Sequence, residues 1–229
     1  QVQHEDRREM LKQVQHEDRR EMLKQVQHED KIQQNDKEVT QMGATEVAEK
    51  IKRNMPFIRG ITVSGGECML QAEFVEELFA IVKPLGLTCL IDSNGTVPFC
   101  RYPHLLDLCD GVMLDVKAWD SVVYRQLTKA DDNAVVKDNL NLLLQKGKLT
   151  EVRIVCLPDS FLVYTDVENI LTNLAKTHGM VEQQIPVKLL RFRPHGVIGA
   201  LKDYPMPTQE QMFEYQNYAI KLRLNVSVI

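Results

Sequence analysis

Four short polar motifs of this chain carry the carboxylate, ammonium and guanidinium groups that could bind a charged ligand. Each lies in or directly after a short run of Val, Ile and Leu, and they are Ser64-Gly65-Gly66-Glu67, Asp92-Ser93-Asn94-Gly95, Asp115-Val116-Lys117 and Arg153. Short apolar runs that are followed by helical patterns predict buried parallel strands. Because the carboxyl ends of parallel strands converge on one edge, where ligands bind, we expect the four motifs to form one site.

The first two motifs each have a simpler explanation beside the functional one. Glycines 65 and 66 allow a ligand close to the backbone, and Glu67 would accept from an ammonium group. An ordinary strand-to-helix turn with Glu67 in its first turn explains the same residues equally well. For Asp92-Ser93-Asn94-Gly95 taken alone, an Asx-type turn is the favoured reading.

The other two motifs indicate binding of a zwitterion more directly. Asp115 and Lys117 are two residues apart on a predicted strand and therefore face the same side, either as a self-satisfied pair or as a ligand site. Arg153, within an apolar strand, needs an anionic partner because an unpaired buried cation is costly. The combined set fits an α-amino acid with an attached polyol. It is a poor phosphate site, because the glycine turn lacks the Walker lysine.

Alternating strands and helices must position these motifs. Thr45 is the predicted cap of the first helix, and Leu70 is predicted on the inner face of the second. The alternation predicts a parallel sheet, either open or rolled into a barrel. The predicted strands are 57–64, 87–92, 111–117, 150–156, 186–192 and 225–229, and the predicted helices are 45–55, 70–83, 102–108, 120–127, 133–146, 162–177 and 208–221.

The amino-terminal part contains a charged repeat. Residues 1–12 recur unchanged at 13–24, and a third copy begins at Gln25 and breaks off after Asp30. A 12-residue period rotates a helix by about 120° per copy, so the repeats build no continuous apolar stripe. We therefore predict that residues 1–43 are an arm outside the fold and that residues 44–229 form the globular domain.

Composition argues against several other functions. The net charge is −4 with no long basic run, which offers no electrostatic basis for binding nucleic acid or an anionic membrane. No apolar stretch approaches the roughly 20 residues that span a bilayer. The cysteines lack CxxC spacing, so we expect free thiols in a reducing cytoplasm, with Cys89 and Cys156 buried; the five are Cys68, Cys89, Cys100, Cys109 and Cys156.

In order and residue types, the four motifs resemble the S-adenosylmethionine site of radical SAM enzymes. More narrowly, they resemble the glycyl-radical-enzyme activating enzymes of the pyruvate formate-lyase activating type, over roughly residues 45 to 229. The resemblance implies a partial (β/α)6 barrel. It also implies an oxidoreductase that reductively cleaves S-adenosylmethionine to generate a glycyl radical on a partner enzyme, with a flavodoxin or ferredoxin-type electron donor.

Carried over by motif, the resemblance assigns roles to individual residues. The segment around Arg193 aligns with a Tyr-His-x-x-Gly stretch near the adenosine, with Arg193 at the histidine position and His195 two residues later. The residues implied to hold S-adenosylmethionine are Ser64, Gly65, Gly66, Glu67, Asp92, Ser93, Asn94, Lys117, Arg153, Arg193 and His195. Those implied to hold a monovalent cation are Asp92, Ser93, Met113 and Asp115.

The sequence departs from the family in one respect. The family binds a [4Fe–4S] cluster through a CxxxCxxC loop after its first strand, and this sequence has no such loop. We therefore expect a partial barrel whose first strand and cluster loop are missing, and a chain that is not catalytic alone.

Two other functions stay open. A degenerate, non-catalytic paralogue would bind S-adenosylmethionine or dock a partner. An aldolase-like barrel would use Lys117 as a Schiff-base lysine, although a neighbouring Asp115 opposes the lowered pKa that such a lysine needs.

Overall fold

A single parallel sheet with helices between its strands forms the core of this computed structural model. The structure describes residues 40–158, 166–178, 185–195, 197 and 199–229. The strands within them are β1 Gly60–Val63, β2 Thr88–Ser93, β3 Gly111–Asp115, β4 Leu149–Cys156, β5 Val187–Arg191 and β6 Val226–Val228. The helices are α1 Ala44–Asn54, α2 Ala72–Val82, α3 Pro103–Leu108, α4 Ser121–Thr128, α5 Ala134–Gln145, α6 Val167–His178 and α7 Gln209–Lys221.

The strand order confirms the predicted α/β class with the topology of a partial (β/α)6 barrel. Neighbours in the sheet follow chain order, β1-β2-β3-β4-β5-β6, and every pair is parallel. Right-handed crossovers between successive parallel strands place all connecting helices on the same face of the sheet. The carboxyl ends of the strands therefore share one edge, and the opposite face of the sheet faces the interior of the partial barrel.

The two faces of the sheet differ in chemistry. The helix-covered face is apolar and inaccessible, and includes Cys89, Ile91, Val112, Leu114, Val152, Ile154, Val187 and Leu189. The interior face is half-buried and largely polar, and includes Leu90, Asp92, Met113, Asp115, Glu151, Arg153 and Lys188. Because successive side chains of a strand alternate between faces, one register sets both the core and the charged interior.

Most predicted elements are confirmed within a few residues, and two details of the prediction are wrong. Helix α1 begins at Ala44 after Gly43 as its N-cap, so Thr45 lies inside the first turn and caps nothing. Leu70 falls in a 3-10 turn, Cys68–Gln71, which precedes α2 and turns its side chain outward, leaving it 74% exposed. The helical stripe starts only with Ala72 and Val75.

Some predictions fall on residues outside the described part. They include the arm at residues 1–43, of which residues 1–39 lie outside the description, and the beginning of the helix predicted at 162–177. The first strand and cluster loop predicted to be missing likewise stay predictions. No helix within the described ranges combines the length and apolar composition that crossing a bilayer requires.

Candidate functional site

A row of alternating charges crosses the interior face, from the carboxyl ends of β2 and β3 to the middle of β4. The Arg153 Nη2 atom donates to Asp92 Oδ1, and its Nε lies 3.2 Å from Asp115 Oδ1. Lys117 Nζ donates to the other Asp115 oxygen at 2.8 Å. Asp115 and Arg153 are direct neighbours in the β3–β4 register, and Asp92 lies one strand further. The order Asp92, Arg153, Asp115, Lys117 thus places each charge beside an opposite one.

Arg153 is the most constrained member of this row. Its side chain is 20% exposed, and burial lowers the pKa of its guanidinium from the usual value. The Nε atom is buried and forms no hydrogen bond within the described residues, although Asp115 Oδ1 and, at 3.9 Å, Glu151 Oε1 are near. The guanidinium thus donates a hydrogen bond to Asp92 and is otherwise held by the nearby carboxylates of Asp115 and Glu151.

Glu67 ties the loop after β1 to the loop after β2. Its Oε1 accepts from Ser93 Oγ at 2.9 Å and from Met69 N at 3.0 Å, and its Oε2 accepts from Asn94 N at 2.7 Å. A second link runs from Ser64 Oγ to Asp92 Oδ2 at 3.3 Å. The Glu67 carboxylate thus already accepts three protein hydrogen bonds, and it fixes the geometry of both loops.

The glycine pair between Ser64 and Glu67 is the open part of this edge. Gly65 and Gly66 are exposed, and a Cβ built on either would meet nothing within 4 Å. The peptide groups of these two residues are therefore accessible to a ligand, as the sequence predicts.

Eight of the predicted site residues form one connected set, in which two groups of side-chain contacts are joined by the peptide bond between Asp92 and Ser93. They are Ser64, Glu67, Asp92, Ser93, Asn94, Asp115, Lys117 and Arg153. Of the predicted cation ligands, Met113 pairs with Asp92 in register and shares the half-buried interior face with Asp92 and Asp115. Ser93 is buried, and its hydroxyl group donates to Glu67 rather than facing that row.

The two predicted adenosine contacts lie apart from the connected set. Arg193 and His195 follow the end of β5 and are both exposed. No hydrogen bond or ion pair within the described residues joins either of them to the charged row. Their role in the site stays a prediction.

The structure also reveals polar residues that sequence reasoning missed. Asn133 and Asn139 of the α5 region are buried, each only 2% exposed, and bind the backbone of two loops beside the site. Asn139 lies among Val136, Leu140 and Leu143 at helical spacing, so an amide on the apolar stripe of α5 was the available signal. On the interior face, Lys188 Nζ contacts Glu151 Oε2 at 2.6 Å.

The fold and the site together define a βα partial barrel with a charged ligand site at its strand ends. A sequence profile of the Radical SAM superfamily matches residues 17–162. This match covers more than half of the chain, and the chain belongs to the radical SAM superfamily.

Individual relatives are activating enzymes. The chain is 27% identical over 174 residues to the pyruvate formate-lyase 2-activating enzyme of Escherichia coli, covering 74% of this chain and 59% of that protein. It is 29% identical over 133 residues to the (2S)-3-sulfopropanediol dehydratase activating enzyme of Klebsiella oxytoca, covering 56% and 41%. The chain thus spans about half the length of these curated relatives.

The fold likeness extends to a solved structure. A domain of the pyruvate-formate lyase-activating enzyme from Bacteroides vulgatus superposes with a TM-score of 0.59 at 15% identity, covering 74% of this chain and 98% of that one. At this identity the likeness supports the fold, and it confirms the predicted partial barrel.

Membership of the superfamily implies S-adenosylmethionine and a [4Fe–4S] cluster. The cysteines of this chain do not fit the cluster. They lack CxxxCxxC spacing, and no group of three or more His, Cys, Asp or Glu side chains among the described residues could hold a metal. Burial raises the pKa of Cys68 and Cys109 to about 11 and of Cys156 to about 12, whereas cluster ligation requires thiolates.

The charged row, in contrast, fits S-adenosylmethionine. It offers cations for a carboxylate, carboxylates for cationic groups, and an accessible glycine backbone, all within one connected edge. Both cations already pair with aspartates of the chain, so a ligand carboxylate would compete with Asp92 and Asp115 for Arg153 and Lys117.

Proposed function

We propose that this chain binds S-adenosylmethionine at the strand-end site and provides the ligand-binding barrel of a glycyl-radical-enzyme activating enzyme. The single observation that carries the proposal is the charge balance of the connected site. The set contains three carboxylates, Glu67, Asp92 and Asp115, and two cations, Lys117 and Arg153, which gives a net charge of −1. S-adenosylmethionine carries a sulfonium, an ammonium and a carboxylate, which sum to +1, so ligand and site are complementary.

The contacts suggest how the ligand is oriented. Its carboxylate would lie against Lys117, whose side chain is 34% exposed, and against Arg153. Its ammonium would donate to the open backbone of Gly65 and Gly66, which Glu67 holds in place. The adenosine would extend toward Arg193 and His195, as the motif resemblance implies.

The proposed reaction and partners rest on the relatives. Two of them are activating enzymes by name, which supports a glycyl radical enzyme as the protein substrate. When bound and reduced by one electron, S-adenosylmethionine would release methionine and supply the 5′-deoxyadenosyl radical, which would take a hydrogen atom from the glycine to give 5′-deoxyadenosine. The same proposal includes a flavodoxin or ferredoxin-type electron donor. It also includes a cytoplasmic location, which the free cysteines support. Finally, it divides the chain into an arm, residues 1–43, and a globular domain, residues 44–229.

A second function is favoured by the cysteines. Because the thiols of this chain do not fit a cluster, a non-catalytic protein that binds S-adenosylmethionine or docks a partner accounts for the same site. The chain by itself is expected to bind the ligand without cleaving it under either function.

The proposal includes a monovalent cation, which would bind once Arg153 pairs with the ligand instead of with Asp92 and Asp115. Arg153 now lies between Asp92 and Asp115. A ligand carboxylate that drew the guanidinium away would leave two aspartates able to take a cation beside Met113. Affinity for S-adenosylmethionine should then be higher in potassium or sodium than in tetramethylammonium at equal ionic strength, and equal affinities in the three salts would contradict the cation.

Titration calorimetry tests the binding proposal directly. S-adenosylmethionine should bind at one site, and S-adenosylhomocysteine, which lacks the sulfonium charge, should bind more weakly because the site is net negative. Absence of binding by S-adenosylmethionine, or equal affinity for both compounds, would contradict the proposed charge complementarity.

A further inference from the structure

Helix α5 holds the loop after β2 through one buried amide side chain. Asn139 Nδ2 donates to Gly95 O and Val97 O, both at 2.9 Å, and its Oδ1 accepts from Phe99 N at 2.9 Å. This loop begins with Asn94, whose backbone amide donates to Glu67. The single side chain therefore fixes three backbone groups of a loop that carries part of the ligand edge.

The same helix holds the loop after β3. Asn133, the N-cap residue of α5, donates through Nδ2 to Ala118 O at 2.9 Å and to Trp119 O at 2.8 Å. One turn into the helix, Lys137 Nζ lies 5.0 Å from the centre of the Trp119 ring, within cation–π distance. These contacts hold the peptide groups immediately after Lys117, a half-buried cation of the charged row.

We propose that Asn133 and Asn139 are positioning residues. Helix α5 is then the rigid element that fixes the position of the loop after β3, which carries Lys117 (the Lys117 loop), relative to the loop after β2, which carries Asn94 (the Asn94 loop). Six residues of an α-helix span about 9 Å, so a single straight element reaches the loops after both neighbouring strands. Neither amide needs to touch the ligand. The inference rests on the proposed binding of S-adenosylmethionine at this edge.

A purely structural role predicts a different outcome. Buried backbone carbonyls need partners wherever they occur, and the two amides would then contribute to folding alone. A positioning role predicts instead that removing an amide weakens ligand binding by the folded protein. The loss of affinity should exceed that of a control variant which loses as much stability through a different residue of the same helix.

Three variants separate these roles: Asn133→Ala, Asn139→Ala and the control Leu143→Ala. Leu143 is a fully buried apolar residue of the same helix, and its side chain takes no part in the loop hydrogen bonds. Melting midpoints and the Kd for S-adenosylmethionine are measured well below the melting range. We expect both Asn variants to raise the Kd by about 2- to 30-fold, and the control to lose stability with its Kd unchanged.

A double-variant comparison with Lys117→Ala distinguishes a positioning role from a purely structural one, because a purely structural role predicts no coupling between the two effects on the Kd. If Asn133 acts through the Lys117 loop, Asn133→Ala should raise the Kd less in a Lys117→Ala background than in the wild type, whereas Asn139→Ala should keep its effect. If Asn139→Ala does not fold, Asn139→Ser replaces it, because the shorter hydroxyl side chain leaves no charge beside the carbonyl groups of Gly95 and Val97.

The results distinguish this inference from the function on which it rests. A wild-type chain that fails to bind S-adenosylmethionine overturns the proposed function, and the positioning role with it. Normal wild-type binding, with Asn133 and Asn139 variants indistinguishable from Leu143→Ala in Kd, overturns the positioning role alone.

Discussion

Replacing Lys117 with alanine removes the most accessible cation of the ligand site. Its ammonium now pairs with Asp115 at 2.8 Å, and its side chain is 34% exposed, so a ligand carboxylate can reach it without unfolding the edge. A hydrogen bond to a charged group contributes about 1.5–3 kcal/mol, which corresponds to an increase of about 10- to 150-fold in the Kd for S-adenosylmethionine. Stability should change little, because a pair exposed to this extent contributes about 1 kcal/mol or less.

The matched control is Lys83→Ala. Lys83 forms the same kind of pair with Asp110, with a side-chain exposure of 36%, but this pair lies at the amino-terminal ends of β2 and β3, across the sheet from the site. Both variants remove one positive charge from the chain. Calorimetric titration should therefore show a large increase in Kd for Lys117→Ala and none for Lys83→Ala. Equal affinities in the two variants would refute the reasoning, because only long-range charge would then matter.

Three further predictions concern stability and reactivity. Arg153→Met should lower the free energy of unfolding by about 1.5–3 kcal/mol in urea titrations, because Asp92 loses its cation; the exposed Arg125→Met serves as the control, and equal losses would contradict the pairing. Burial pushes the pKa of Asp110 upward, but hydrogen bonds from Lys83 and the Cys89 amide outweigh it and leave the pKa lowered. The unfolded state therefore binds the proton more readily, so this contribution to stability is present above about pH 4 and lost as the pH falls through the folded-state pKa. Asp110→Asn should thus be less stable than the wild type at pH 7, and the difference should shrink as the pH falls through the folded-state pKa; a difference that does not change with pH would exclude the linkage. Finally, anaerobic reconstitution with iron and sulfide, followed by reduction, should give no 5′-deoxyadenosine from S-adenosylmethionine, and clear production would show that the cysteines do bind a cluster.

Local sequence was enough to find the elements and the edge of the sheet that carries the site. Apolar runs that stop at Ser64 or continue into Asp115 are visible without any long-range information, because the face of each strand that packs against the helices is apolar at every second residue. The parallel alternation of strands and helices then places their carboxyl ends together. The exposed Leu70 was missed because a 3-10 turn, rather than a helix, follows the glycine loop.

The partners of each charge depended on the tertiary structure. Sequence spacing paired Asp115 with Lys117, two residues away, and the structure contains that pair. It could not show that Arg153 lies between Asp92 and Asp115, since that contact spans three strands and depends on their register. It likewise could not show that Glu67 binds the loop after β2.

The sequence by itself determined which groups are available: the types, order and local spacing of the charged residues follow from chain position alone. Only the tertiary structure decided which groups neutralise one another and which remain for a ligand. The physical reason is that electrostatic and hydrogen-bond energies depend on distances of a few ångströms between side chains of different strands, and the order and register of the strands set those distances.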